Sequence, residues 1–252
     1  MKNVALSLVI CLGALGAGSG CSVLSNEEIP YDVPPQEVLQ DISQALSGLS
    51  GTFPTVDCTA SASLCSMAGT PPASATITCD TSATTPGKSA CALHYDLTIH
   101  QTINLSQEAN FPTAVTDSPA ISLVTLDDVG YWAGPAEMLN VATPPLDIYI
   151  GGMTATAPTD SGVQQLGTIG SIPPGTAPST APDCTKGAAT SMSTACDLQL
   201  TPTGTQVFET LAKTFQTPFN IIVVGHLTVN GGEPVPQGKV DLFLQPQIGF
   251  HL

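Results

Sequence analysis

Alternation of apolar and polar residues recurs along most of the chain after about residue 70, as expected for strands that bury one face. In residues 91–105, CALHYDLTIHQTINL, apolar side chains take nearly all the odd positions. Glycine, proline or asparagine bounds such runs, so we predict a mainly β fold, an antiparallel β-sandwich. The predicted strands are residues 74–79, 91–105, 121–129, 138–142, 145–150, 163–169, 197–201, 219–230 and 239–252.

Two positions interrupt these predicted strands. Gln101 breaks the apolar stripe of residues 91–105, and fifteen residues are more than most strands contain, so we expect a bulge or bend there. Pro246 lies inside the last run. Because proline cannot donate a hydrogen bond to a neighbouring strand, it predicts a sheet edge or a bulge.

Two segments have apolar residues at helical spacing. In residues 35–49 proline precedes the pattern and glycine follows it. Residues 203–215 begin with the spacing of a capping box, from Thr203 to Gln206. We predict two short helices that pack on a sheet or cover its end. The apolar positions of the first are Val38, Leu39, Ile42, Leu46 and Leu49.

The first 20 residues are predicted to be a signal peptide. Lys2 precedes an apolar run over residues 4–17, which is shorter than the roughly 20 residues that a spanning helix needs. The run ends in GSG before Cys21, and this resembles the lipobox of bacterial lipoproteins, in which that cysteine is acylated. Gly18 stands where leucine is commonest, so ordinary cleavage with a free Cys21 is the alternative. Within that resemblance, Ser22 implies sorting to the outer membrane.

The sequence predicts one folded body behind this anchor. Residues 21–36, rich in proline and acidic residues, are expected to be a lipid-anchored tether. Residues 37–252 are expected to form a single β-sandwich domain. Residues 52–91 belong to that domain or form a small disulfide-rich annex.

Six cysteines follow Cys21, and export permits them to form about three disulfides. Three bridges allow 15 pairings, and the spacing favours sequence neighbours. Zinc is the competing interpretation of clustered cysteines, but no CxxC pair occurs. The favoured pairs are Cys58 with Cys65, Cys79 with Cys91, and Cys184 with Cys196.

Charge narrows the range of partners. Removal of the leader with Lys2 leaves four lysines, no arginine and 20 acidic residues, a net charge of −16. A chain of this charge lacks the basic surface that binds phosphate backbones. We therefore expect no nucleic-acid partner.

Candidate chemistry is sparse. His94, Asp96 and His100 share the polar side of residues 91–105, but the two histidines are about 20 Å apart at about 3.3 Å per residue. Metal binding would require His94 and Asp96 to recruit His226 or His251 from elsewhere. We interpret the three side chains as a solvent-facing row and predict no metal site.

The remaining candidates also have simpler interpretations. Asp127 and Asp128 are expected to be solvated charges rather than calcium ligands, because the usual spacing of such ligands is missing. Trp132 is expected to plug the core rather than to bind a sugar. The chain has no GxSxG, HExxH, GxGxxG or P-loop motif, so we expect no catalytic residue, no cofactor and no enzymatic activity.

A second resemblance concerns the C-terminal third. The stretch TPFNIIVVGHLTVNGGEPVPQGKVDLFLQ, with LDDVGYW and PPLDIYIGG before it, resembles uncharacterised bacterial lipoproteins with a single disulfide-stabilised β-sandwich body. The resemblance implies a fold and a cellular address, and no activity. We therefore expect a structural or adhesive protein that is held in the membrane by its lipid and contacts protein or carbohydrate partners through loops. The alternative is an extracytoplasmic module that binds a carbohydrate, a peptide or a divalent metal.

Overall fold

The computed structural model describes residues 28–58, 62–70, 75–80, 89–118, 121–134, 138–174 and 196–252. Its strands are β1 Glu28–Asp32, β2 Gln36–Asp41, β3 Ala75–Asp80, β4 Ala90–Ile103, β5 Leu123–Ala133, β6 Leu146–Gly152, β7 Gln164–Ile169, β8 Cys196–Asp197, β9 Phe219–Asn230 and β10 Lys239–His251. Its helices are α1 Ile42–Ala45, α2 Thr113–Thr116 and α3 Pro202–Lys213, with 3₁₀ turns at Ala62–Ala68 and Leu105–Gln107.

The described strands form two antiparallel sheets of five strands each. In the β10 sheet the order is β1, β10, β5, β8, and β2 also pairs with β10. In the β9 sheet the order is β3, β4, β9, β6, β7. The prediction of a mainly β, antiparallel fold is therefore confirmed.

One hydrophobic core takes side chains from both sheets. Leu242 and Phe250 of β10 belong to the same buried cluster as Leu93 of β4 and Ile148 of β6. The outward side chains of β4 are polar, so its burial alternates with a period of two. The apolar residues whose alternation predicted this strand are therefore the residues that pack into the core.

Helix α3 confirms the second predicted helix, although it begins earlier than the capping-box spacing indicated. Thr201 is the N-cap, and its hydroxyl accepts a hydrogen bond from the Gly204 N–H at 3.1 Å. Phe208 is fully buried on the inner side of the helix. A Cβ on Gly204 would lie 2.3 Å from the Gln165 carbonyl oxygen, so glycine permits the close approach of α3 to β7.

The first predicted helix is wrong over its first half. Residues 36–41 form β2, which pairs with residues 239–244 of β10, and α1 contains only four residues. Gln36 and Val38 are buried, whereas Leu39 is 46% exposed. The apolar residues of this segment are spaced as in a helix. Hydrogen bonding to β10 nevertheless makes residues 36–41 a strand.

The folded body also begins earlier than predicted. Residues 28–32, which were expected to lie in the tether, form β1 and pair with residues 247–251 of β10. The tether can therefore extend no further than residue 27. Residues 1–27, with the predicted signal peptide and Cys21, lie outside the described residues.

Strand irregularities occur at one of the two predicted positions. β4 pairs with β9 in continuous register from Ala92 to Ile103, so the bulge expected at Gln101 is absent. The register of β10 against β5 shifts between Gln247 and Ile248, directly after Pro246, as the proline predicted. Residues 138–142 form no strand, and only Cys196–Asp197 is a strand near the predicted run 197–201.

No helix among the described residues is long and apolar enough to cross a membrane.

Candidate functional site

Four cysteines meet at one end of the β9 sheet. Cys58 is bonded to Cys79 and Cys65 to Cys91, with Cα–Cα distances of 6.2 and 5.3 Å. The sulfur atoms of Cys58, Cys65 and Cys79 all lie within 4.8 Å of one another. The predicted pairing of sequence neighbours is therefore wrong for these four residues.

The backbone explains this pairing. Cys79 and Cys91 lie opposite each other in the β3–β4 pair, and the segment before β3 runs along the start of β4. The Cys58 N–H donates to the Ser89 carbonyl at 2.9 Å, and the Cys91 N–H donates to the Val56 carbonyl at 3.2 Å. Each disulfide consequently joins the earlier segment to one of the two strands. Cys58 in this way fastens residues 52–58 to the β9 sheet, and Cys65 fastens the 3₁₀ turn Ala62–Ala68 to it.

The other cysteines are only partly described. Cys196 is also disulfide-bonded, and its predicted partner Cys184 lies outside the described residues. Cys58, Cys65 and Cys79 are the only group of three or more potential metal ligands that converge within the described part of the chain. Because these sulfurs are held in disulfides, none is the thiolate that a zinc ion needs.

The outer side of β4 and β9 has a row of polar side chains, which we call the polar face. Asp96 lies opposite His226, and His226 Nδ1 is 2.8 Å from Asp96 Oδ1. His94 Nδ1 is 3.1 Å from the hydroxyl oxygen of Thr228. The prediction that His94, Asp96 and His100 lie on the solvent-facing side of this strand is confirmed. The polar face comprises His94, Asp96, Thr98 and His100 of β4 and His226 and Thr228 of β9.

The polar face is a hydrogen-bonding surface rather than a closed site. The side chains of His226 and Asp96 are 71% and 73% exposed, so water screens their attraction, which is worth less than about 1 kcal/mol. His226 is one of the two imidazoles that the sequence offered as a partner for Asp96. Their contact brings together two potential ligands but no third one from the described residues, because His94 turns to Thr228 instead.

A loop covers the rest of this outer surface. Ile222 and Val224 of β9 form a small apolar cluster with Tyr149, Ala155 and Val163, so residues 153–163 exclude water from that half of the sheet. The loop is held by the Asp160 carboxylate. This group accepts the N–H groups of Thr156 at 2.8 Å and Ala157 at 3.0 Å, and both bonds lower the pKa of Asp160.

Asp128 and Asp197 form an acidic pair where β5 meets β8. Burial raises the pKa of Asp128, and the neighbouring Asp197 carboxyl raises it further. A bond from the Val129 N–H, at 2.7 Å, partly offsets both effects. The expectation of a solvated charge therefore fits the exposed Asp127, whereas Asp128 is half-buried.

The raised pKa of Asp128 predicts a pH-dependent effect of Asp128→Asn. Folding favours the protonated carboxyl, so its contribution to stability is complete below the usual pKa of 3.8 and is lost as the pH rises through the folded value. The variant is always neutral, and we expect it to be more stable than the parent at pH 7, by less than about 1 kcal/mol. Urea unfolding at pH 3 and pH 7 measures this gain, which should be absent at pH 3. Asp127→Asn controls for loss of one negative charge, and an equal gain in that control would refute the explanation.

Trp132 is buried, as predicted. It is 3% exposed and lies opposite Phe243 of β10, with the two rings stacked at a centroid distance of 5.5 Å. A ring in this position contributes packing. It offers no open platform for a sugar.

One apolar pocket opens between the two sheets. Its empty volume is about 290 Å³, including space open to solvent. Tyr95 and Leu97 of β4 form one wall, and Ile42 and Val240 form another. Thr143 also lines it, but its hydroxyl already accepts the Ile172 N–H at 2.8 Å. The pocket thus has apolar walls and little to orient a polar ligand.

The loops near the disulfides are bound to one another by hydrogen bonds. The Phe53 N–H donates to the Glu233 carbonyl at 2.8 Å, and the Gln237 N–H donates to the Asn140 side chain at 2.7 Å. We call the segments 49–58, 62–70, 138–140 and 231–238 the disulfide end. Met67 and Met138 are 73% and 68% exposed there. The disulfide end therefore presents apolar side chains to solvent on a fixed set of loops.

Comparison with known protein families, curated proteins and solved structures finds no match to this chain.

Proposed function

We propose that this is a lipid-anchored protein of the cell envelope, exported by its leader and held in the outer membrane by acylated Cys21. The observation that supports export most directly is the pair of disulfides at Cys58–Cys79 and Cys65–Cys91. Structural disulfides persist in oxidising compartments and are rare in the cytosol. The lipobox-like residues before Cys21 support acylation of Cys21 and attachment to the membrane.

We infer that the folded body is one β-sandwich closed by a third disulfide between Cys184 and Cys196. The common core of the two sheets supports face-to-face packing. The pocket walls support it too, because Tyr95 of the β9 sheet faces Val240 of the β10 sheet. Segment 52–58 contributes Phe53 and Cys58 to the same core, which favours a single domain over a separate annex.

The proposed role is structural or adhesive, with contacts made by loops. The disulfide end suits this role because two disulfides and the hydrogen bonds of its loops fix the positions of Met67 and Met138 before a partner arrives. Fixed loops lose less conformational entropy on binding than mobile ones. Exposed methionines offer apolar surface that adapts to the shape of a protein partner.

The proposal includes no catalytic step. The Asp96–His226 contact pairs an imidazole with a carboxylate, but both side chains are open to water. A catalytic base has a pKa tuned by burial or by neighbouring charge. The Asp96 and His226 side chains are as exposed as those of an ordinary surface hydrogen bond, so the proposal gives this pair no catalytic role.

The intact mass of the mature protein tests the anchor. We expect a chain that begins at Cys21 and is heavier than residues 21–252 by a diacylglyceryl group on the sulfur, with or without an amide-linked acyl chain. Mild base should remove the ester-linked chains and reduce the mass accordingly. A mature chain with an unmodified N-terminus would contradict the proposal, whatever its first residue.

A further inference from the structure

The end of the β10 sheet where the described chain begins is the end opposite the disulfides. Glu28 of β1 pairs with His251 of β10, and His251 pairs with Leu123 of β5. The Lys213 ammonium at the end of α3 donates to the Ser122 carbonyl at 2.9 Å. We call these five residues the anchor end. Leu123 is 51% exposed there.

The two sheets are aligned so that the anchor end and the disulfide end lie far apart. Phe111, which follows the end of β4, packs against Tyr31 and Phe250, with ring centroids 5.3 and 5.7 Å apart. β4 therefore ends near the anchor end, and Cys91 lies at its opposite end. The 13 residues of β10 separate Lys239 from His251 by about 40 Å at about 3.3 Å per residue.

The covalent link from the proposed lipid to this body is short. Six residues, 22–27, separate Cys21 from Glu28. At no more than about 3.6 Å per residue, the seven steps from Cys21 to Glu28 span at most about 25 Å. Glu28 therefore stays within that distance of the lipid, whereas the disulfide end is farther from Glu28 than the link can reach.

We propose that the anchor end rests on the lipid headgroups and that the disulfide end points away from the membrane. This orientation depends on the acylation of Cys21 proposed above. Leu123 contributes an apolar side chain to the contact, and Lys213 contributes a cation that attracts lipid phosphates. Glu28 is the acidic residue of the same end. The short link holds this end close to the bilayer, and the contacts of Leu123 and Lys213 with the headgroups favour the upright orientation.

The orientation can be measured in the unsubstituted protein from the chemical labelling of two of its own lysines. Lys213 lies at the anchor end and Lys239 begins β10 at the disulfide end, and both are exposed. The acylated full-length mature protein is placed in vesicles of phosphatidylethanolamine and phosphatidylglycerol and treated with a membrane-impermeant amine reagent. Mass spectrometry gives the labelling ratio of Lys213 to Lys239. We expect this ratio to fall several-fold in vesicles relative to residues 21–252 with Cys21→Ser, which carry neither leader nor lipid, under the same conditions.

A second measurement uses tryptophan fluorescence and brominated lipids. Leu123→Trp and Met138→Trp place matched probes at the two ends, and the buried Trp132 contributes the same background to both. We expect brominated lipid to quench the added emission of Leu123→Trp and to leave that of Met138→Trp unchanged. Both variants keep Cys21 and its lipid.

The outcomes separate orientation from anchoring. If the protein is acylated but the lysine ratio does not fall, or if Met138→Trp is quenched as strongly as Leu123→Trp, the orientation is wrong and the anchor stands. If mass spectrometry finds no acyl group on Cys21, the anchor and the orientation both fail. A lower ratio together with quenching of Leu123→Trp alone supports the orientation.

Discussion

Replacing Cys65 and Cys91 together by alanine is expected to lower the free energy of unfolding by about 3.5 kcal/mol on the chain-entropy account of disulfides. This disulfide closes a separation of 26 residues, and the loss of this constraint lets the unfolded chain gain entropy. Alanine is preferred to serine because Cys91 is fully buried and a hydroxyl there would need a hydrogen-bond partner. Urea unfolding without reductant measures the loss against the oxidised parent.

The other disulfide provides a matched comparison. Cys58→Ala with Cys79→Ala opens a separation of 21 residues, and the same account gives about 3.3 kcal/mol. Ser66→Ala, in the 3₁₀ turn beside Cys65, controls for local disturbance and should change stability by less than about 0.5 kcal/mol. Peptide mapping of the oxidised parent should recover Cys65 linked to Cys91. Recovery of Cys65 linked to Cys58, or unchanged stability of the Cys65 and Cys91 double variant, would refute the pairing.

The sequence predicts the fold best where local pattern and packing agree. From Leu93 onwards β4 alternates, because one side faces the common core and the other faces water. Helix α3 keeps its apolar residues on one side and has a threonine cap. Residues 36–41 show where prediction fails, since the adjacent apolar residues Val38 and Leu39 fit one face of a helix but lie on opposite faces of β2, where Leu39 is exposed. Their pairing with β10, about 200 residues later in the chain, decides between helix and strand.

Long-range pairing also limits prediction of the candidate site. Spacing along the chain suggested that Cys79 would bond to Cys91, but the two strands place both beside a separate segment that carries Cys58 and Cys65. The Asp96–His226 contact depends in the same way on the register of β4 against β9. The sequence predicts the polar row of β4 and names His226 as a possible partner of Asp96. It does not predict the register of β4 against β9 that places these two residues opposite each other.

Loss of Cys21 is expected to have the largest effect on the location of the protein. Each buried methylene of a lipid chain contributes about 0.8 kcal/mol to membrane binding, so removal of two or three chains abolishes stable anchoring. The folded body should be unaffected, because Cys21 precedes β1 by seven residues. The substitution must still permit cleavage of the leader, since an uncleaved leader would itself hold the chain in the membrane.

A matched pair of variants meets this requirement. Gly18→Ala with Gly20→Ala creates the Ala-x-Ala sequence that ordinary signal peptidase accepts and keeps Cys21. The second variant adds Cys21→Ser to the same background. The two proteins then differ only in the sulfur that would carry the lipid.

The distribution of these two variants between a salt-washed membrane pellet and the soluble envelope fraction is the most direct test of the proposed anchor. We expect the variant that keeps Cys21 in the pellet and the variant with the added Cys21→Ser substitution in the soluble fraction, with the leader removed from both. If the parent protein and both variants are soluble, or if both variants remain in the pellet after cleavage, then Cys21 does not anchor this protein.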